Sequence, residues 1–328
     1  MELLNVLGIE KKHNENLVLN NISFTQQPFE KIAIAGETGS GKTSLLKIIA
    51  GLLQADAGTV FFEDKRIKGP DEKLIPGHKG IAYLSQQFEL RNNYRVEEEL
   101  DYTNQLTDEA AAIIYEVCRI SHLLKRKTDQ LSGGEKQRIA AARVLIASPK
   151  LLLLDEPFSN LDMAHKQMMK TVIHDIGETL KISCILISHD PLDTLSWADE
   201  IIVIRNGAIV QKASPQLIYS RPANEYVAAL FGKYNLFTAS QAAIFSMLPK
   251  IENEHKNLLI RPEHFSIAST ENNALKGVVK KIDFFGSYYE TEVLAENIFI
   301  TVKMIACTVA VGDTVYLSID ADAVCYVD

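Results

Sequence analysis

The chain has no apolar run long enough to span a bilayer, no basic excess, and no cysteine pair spaced for a metal or redox centre. Its longest apolar stretches, such as 151–154 and 201–204, fall far short of the roughly 18 to 20 residues a membrane helix needs. The opening residues, MELLNVLGIEKK, show no basic stretch leading into a long apolar run. No secretory signal is therefore expected, and the protein is expected to stay in the cytoplasm. A formal charge of -8 argues against a broad phosphate-backbone footprint, which draws on clustered Lys and Arg. Cys118, Cys184, Cys307 and Cys325 stand far apart and read as reduced thiols. No internal repeat or low-complexity tract stands out.

What is present is an ordinary globular composition, 47% hydrophobic and 23% charged, over 328 residues, enough for about two domains. Short apolar runs at 31–35, 151–154 and 184–188 each end where polar or glycine-rich residues begin. They read as strands buried on both faces of a parallel sheet. Helical patterns at 42–52, 109–124, 134–147 and 164–180 lie between them, so the first two thirds is α/β. Beyond about Gly232 the texture changes to strand candidates in series at 258–260, 277–282, 288–294, 298–304 and 314–319. Such a series suggests a small β-barrel. The expected domains are 1–232 and 233–328.

Gly36-Glu37-Thr38-Gly39-Ser40-Gly41-Lys42-Thr43 follows a strand candidate and opens a helical one, the context a phosphate-binding loop requires. Small residues let the backbone wrap phosphates with its N–H groups pointing inward, and the following helix, through Ser44, adds its positive end. Lys42 is placed to reach the β- and γ-phosphates, and Thr43 to give a hydroxyl to Mg²⁺. The strand at 151–154 then delivers Asp155 and Glu156 at its C-terminal end, where α/β sheets build their sites. Asp155 is the expected Mg²⁺ holder. If extended geometry persists, Glu156 points the other way and can face an attacking water. Upstream, Ser132 in Leu131-Ser132-Gly133-Gly134-Glu135 sits where a helix N-cap belongs, and the glycines expose backbone N–H groups to an anion. One chain thus carries two anion-binding helix starts.

The Leu-Ser-Gly-Gly run at 131–134, together with the phosphate loop and the Asp155 strand, resembles the ABC transporter ATPases. The remaining motifs follow in that family's order. Gln86, in Tyr83-Leu84-Ser85-Gln86, looks like the family glutamine that contacts Mg²⁺ or water. Ser159-Asn160-Leu161-Asp162 is similar to the loop that communicates across a dimer, and His189 looks like the switch histidine on the γ-phosphate. The resemblance implies ATP and Mg²⁺ as ligands and a head-to-tail homodimer, with each ATP between the phosphate loop of one chain and Ser132, Gly133, Gly134, Glu135 and Asp162 of the other. It also implies that the adenine stacks on an aromatic side chain shortly before the strand that precedes the phosphate loop, here matched by His13. A solvated loop histidine among Lys11, Lys12 and Asn14 is the competing reading.

The fold expected from the resemblance is a P-loop ATPase domain with an antiparallel β subdomain and a helical subdomain at about 87–130, followed by a small OB-like (TOBE) barrel. The stretch 218–232 and Ile260-Arg261-Pro262-Glu263-His264 resemble importer subunits for sugars, polyamines, ferric iron or oxyanions. Two transmembrane permease subunits and, indirectly, an external substrate-binding protein are the implied partners, and the inner face of the cell membrane is the implied location. The helical region looks shorter than usual for these importers, and Phe29-Glu30 stands where the family commonly has Gly-Glu. An OB-like barrel could also take single-stranded nucleic acid on Phe284, Phe285, Tyr288 and Tyr289. Residues 235–328, however, hold seven Lys and Arg against twelve Asp and Glu, a formal -5, and aromatics in a barrel are usually core. No nucleic-acid partner is expected. The competing functions are a nucleic-acid-associated ABC ATPase and a mainly regulatory module.

Overall fold

The computed structural model describes residues 2–14, 16–85, 90–245, 256–268, 274–320 and 324–327. The chain divides into two compact units, Met1–Pro215 and Gln216–Asp328.

The first unit holds two sheets. Strands Lys31–Ala35, Ile81–Leu84, Leu151–Asp155, Ser183–Ile187 and Glu200–Arg205 run parallel, and Ala208–Ala213 adds an antiparallel edge. A four-stranded antiparallel sheet is built from Leu4–His13, Asn16–Gln26, Ala57–Phe62 and Lys65–Arg66. Alternation along the apolar strands divides them between two cores. Leu151 and Leu153 pack with helix Lys42–Ile49 and the antiparallel sheet, while Leu152 and Leu154 pack with helices Val96–Asp101, Asp108–Val117, Gly133–Leu145 and Met163–Leu180. Neither strand face meets water, as a continuous apolar run requires.

Helix Val96–Asp101 is tied to the helix that starts at Gly133 through Glu99. This buried carboxylate lies 2.7 Å from both Arg91 and Arg143. At the turn before the first parallel strand, Phe29 adopts φ 67°, the left-handed region that a glycine would occupy without strain. Its cost, about 1 to 2 kcal/mol for a side chain in that region, is offset by the Phe29 N–H donating to Ser183 Oγ at 2.7 Å.

In the second unit, a curled antiparallel sheet runs in the order Phe265–Ala268, Thr314–Ile319, Leu275–Phe284, Tyr289–Ala295, Ile298–Met304. Its two end strands approach one another, consistent with an OB-like domain. Asn235–Phe237, Asn257–Ile260 and Val324–Val327 form a second, three-stranded sheet. The division at Pro215 falls earlier than the Gly232 boundary read from the sequence, and Arg261 gives the physical reason. Its buried guanidinium donates to the carbonyls of Ala228, Gly232 and Lys233 at 3.0 to 3.1 Å and lies over the Tyr219 ring. The short helices at 215–220 and 225–230 are thereby pinned to the second unit.

The tip aromatics depart from the core placement expected of barrel aromatics. Phe284 is 65% exposed and Phe285 48%, and they pack against Tyr289 and Tyr288 at the hairpin end. Strand pairing ends at Phe284 and Tyr289, so these rings stand at the end of the hairpin, and Lys233 and Lys303 lie over Phe285 and Tyr288.

Replacing Arg261 with Met keeps the apolar stem and leaves several buried carbonyls without a donor. The second unit of the full chain is expected to lose about 3 kcal/mol, read as a lower midpoint of its transition in urea. An unchanged midpoint would show that the guanidinium does not hold 216–232 in place.

Candidate nucleotide site

Three neighbouring parallel strands end at one edge of the sheet. Lys31–Ala35 runs into the loop at Gly36, Ser183–Ile187 into Ser188 and His189, and Leu151–Asp155 into Glu156. Strand direction alone therefore gathers the residues that sequence reading had grouped from separate motifs.

Helix Lys42–Ile49 begins at Gly41, which has φ 97°. A Cβ there would lie 2.6 Å from the Val18 carbonyl and 2.7 Å from Leu19, so the loop can close against that strand only with glycine. Lys42 is buried, and its ammonium donates to the carbonyls of Gly36 (2.8 Å) and Glu37 (2.7 Å) and to Ser40 Oγ (3.3 Å). Burial pulls its pKa down, and the negative charges of Glu156, Asp155 and Glu37 work against that shift.

Asp155 is buried with both oxygens engaged. Thr43 Oγ1 donates to Oδ1 at 3.0 Å and the Tyr83 hydroxyl to Oδ2 at 2.8 Å. Burial first, then the Asp155 carboxylate, drives the Tyr83 phenol far above its ordinary range, so it remains a donor. The strand does not stay extended beyond Asp155. Glu156 turns into the left-handed region at φ 51°, and its N–H donates to the Ile187 carbonyl at 3.1 Å. It is this turn, and not strand alternation, that sends Glu156 towards His189. One carboxylate oxygen meets His189 Nε2, and the other accepts from Ser159 Oγ at 3.0 Å. Gln86 lies outside the described residues.

Ser132 caps helix Gly133–Leu145 through a reciprocal box. Its Oγ accepts from the Glu135 N–H at 3.3 Å, and its own N–H donates to Glu135 Oε2 at 2.8 Å. Gly133 faces open space. A Cβ at Gly134, by contrast, would come 2.3 Å from the ring of His165. Asp162 caps helix Met163–Leu180 and binds His165 twice, at the backbone N–H (2.9 Å) and at Nδ1 (2.7 Å). These two bonds hold its carboxyl below the usual range. His165 was not foreseen, and neither was Tyr83 as a partner of Asp155. The one signal for Tyr83 was a hydroxyl-tipped residue in an otherwise apolar strand.

A cleft of about 480 Å³ is lined by Thr38, Gly39, Gly41, Lys42, Thr43 and Ser44, by Glu156 and His189, and by Lys11, Lys12, His13, Val18 and Leu53. His13 ends its strand opposite Asn16, so the hairpin tip carries it into the same cleft as the phosphate loop. Among the described residues lining that cleft, none comes from 132–135 or is Asp162.

A glycine loop between strand and helix, its lysine buried among loop carbonyls, beside a hydroxyl–carboxylate pair, defines a phosphate-loop nucleoside triphosphatase. A model of the ABC transporter family matches residues 19–159, and a TOBE domain model matches residues 258–327. The spermidine/putrescine import ATP-binding protein of Clostridium acetobutylicum is 32% identical, over 98% of this chain and 95% of its own length. The Fe(3+) ions import ATP-binding protein of Photorhabdus laumondii is 28% identical, over 95% and 93%. The maltose/maltodextrin import ATP-binding protein of Mannheimia succiniciproducens is also 28% identical, over 90% and 86%. Among solved structures, an ATP-binding cassette of an ABC transporter in its ADP conformation matches with a TM-score of 0.59 at 26% identity. The match covers 70% of this chain and 98% of that one. The chain belongs to the ABC transporter family as an ATP-binding subunit, and it is an ATPase.

If the purine rests on His13, His13→Ala weakens ATP binding several-fold, at the low end of the roughly 1 to 3 kcal/mol per stacked base, and His13→Tyr restores it. Equal affinities for the three proteins in a nucleotide titration would place the base elsewhere.

Proposed function

We propose that the chain is the ATP-hydrolysing subunit of a prokaryotic import system, working as a head-to-tail homodimer that sandwiches two ATP. The observation that carries this reading is the division of the site within one chain. The phosphate loop lines a cleft, while the helix start at Ser132 presents two exposed residues, Ser132 and Gly133, away from it. Each is half of an anion site, and a second copy turned head to tail supplies the missing half. A helix N-terminus favours an anion by about 0.3 to 2 kcal/mol, which assists closure without making it permanent.

In that arrangement the loop from Gly36 to Ser44 cradles the phosphates, and Lys42 exchanges its loop carbonyls for phosphate oxygens. Glu156 polarises the attacking water, and His189 orients Glu156 and meets the γ-phosphate. Asp162 contributes at the dimer contact, and Gln86 contacts the metal or water.

Thr43 and Asp155 are hard oxygen donors already in contact, and no group of three or more His, Cys, Asp or Glu able to hold a metal occurs among the described residues. Such a sparse donor set suits Mg²⁺, which takes one or two protein ligands and fills the rest with phosphate oxygens and water. When bound, the ion neutralises charge developing on the phosphate oxygens.

The import direction, the two membrane permease subunits and an external substrate-binding protein rest on the kinship with the polyamine, ferric iron and maltose import subunits. No described helix is long and apolar enough to cross a membrane, so attachment to the inner face of the cell membrane is through those subunits.

Two experiments test the reading. Glu156→Gln should keep ATP binding, lower turnover on the order of 10²-fold or more, and accumulate an ATP-bound dimer on sizing chromatography. Wild-type turnover in that variant would remove Glu156 from the reaction. Separately, Lys42→Ala and Ser132→Arg chains should each be inactive alone and regain turnover when mixed, since each mixed dimer contains one intact composite site. Ser132→Arg suits this test better than a change at Gly134, which would collide with His165 inside its own chain. Failure to recover turnover would overturn the head-to-tail arrangement.

A further inference from the structure

His189 carries the contact to Glu156, yet its side chain is 42% exposed. Packing does not hold it, so its orientation depends on the backbone on either side. Both flanking residues are pinned. Ser188 Oγ donates to Asp193 Oδ2 at 2.7 Å, and the Asp190 N–H donates back to Ser188 Oγ at 3.2 Å.

The charges that fix this turn come from another element. On helix Met163–Leu180, Lys166 reaches Asp190 at 2.6 Å and Asp193 at 3.0 Å, and Lys170 reaches Asp193 at 2.6 Å. Asp193 is almost fully buried, at 1% side-chain exposure, between the two ammoniums. A buried carboxylate with two lysines is a specific arrangement, because either charge left alone there would be strongly unfavourable. Both ammoniums also lie 5.9 Å from the centre of the Phe158 ring, in the loop that follows Glu156. The same helix begins at Asp162 and presses His165 against Gly134.

We propose that Lys166 and Lys170 are positioning residues for ATP hydrolysis. From one helix they fix the turn that carries His189 and the loop that carries Glu156, and they couple that pair to the helix start at Gly134. A displacement at Asp162 or Gly134, where a second chain's nucleotide would bind, then moves the hydrolytic pair as a unit. This inference rests on the roles proposed for Glu156 and His189.

The test is steady-state Mg-ATP turnover of the full chain, with nucleotide affinity measured separately by titration and folding checked by thermal midpoint. Lys166→Met and Lys170→Met keep stem length and the contact with Phe158 but remove the charge. Each should lower kcat by about 10-fold or more, as expected for a misplaced reacting group, while KM and affinity stay within about twofold. Lys166→Arg and Lys170→Arg should retain most of kcat.

Unchanged kcat in both methionine variants would overturn the proposal. So would arginine variants as slow as the methionine ones, since that result would trace the loss to shape and not to charge. A rise in KM parallel to the fall in kcat would also count against it, as the mark of a loosened nucleotide cleft. Glu156→Gln and His189→Ala are assayed alongside. If they keep turnover, the reading of the pair itself fails, whereas their loss with full activity in the lysine variants sinks only this inference.

Discussion

Everything at the site depends on the inability of three adjacent strands to expose either face. Leu151–Asp155, Ser183–Ile187 and Lys31–Ala35 are buried above and below, so each can turn polar only at its end, and parallel pairing puts those ends on one edge. The glycine loop, Asp155 and His189 therefore meet without a long-range contact having to be designed for each. Helices Gly133–Leu145 and Met163–Leu180, which pack on one face of the sheet, start at the caps Ser132 and Asp162.

Within that frame the charges are arranged by burial. Lys42 and Asp155 are both buried and are separately satisfied, the first by loop carbonyls and the second by two hydroxyls. Each charge is thus hydrogen-bonded to neutral groups, and burying either without such partners would be costly. Glu156 and His189 sit nearer the solvent, where a water can reach them.

Much of this was legible in the sequence because the signals were local. The spacing of Gly36 to Thr43, the apolar run ending in Asp155, and Ser132 three residues before Glu135 each determine a backbone geometry by themselves. Most helix and strand limits differed by a few residues, but the helix read at 109–124 ends at Val117, and a separate short turn of 3-10 helix covers Ser121–Leu123. What could not be read was set by distant pairings. The turn at Glu156 depends on an acceptor at Ile187, and the membership of 216–232 in the second unit depends on Arg261. Nothing near His165 in the chain announces its contact with Gly134. The exposed tip aromatics were misjudged for a related reason: composition counts rings but does not say which of them lie at a hairpin end.

Gly134 and His165 share one volume. Residue 134 is confined to glycine because an imidazole from the neighbouring helix occupies the space that a side chain would need. Shortening residue 165 would open room for a side chain at residue 134, whereas with the imidazole in place only glycine fits there.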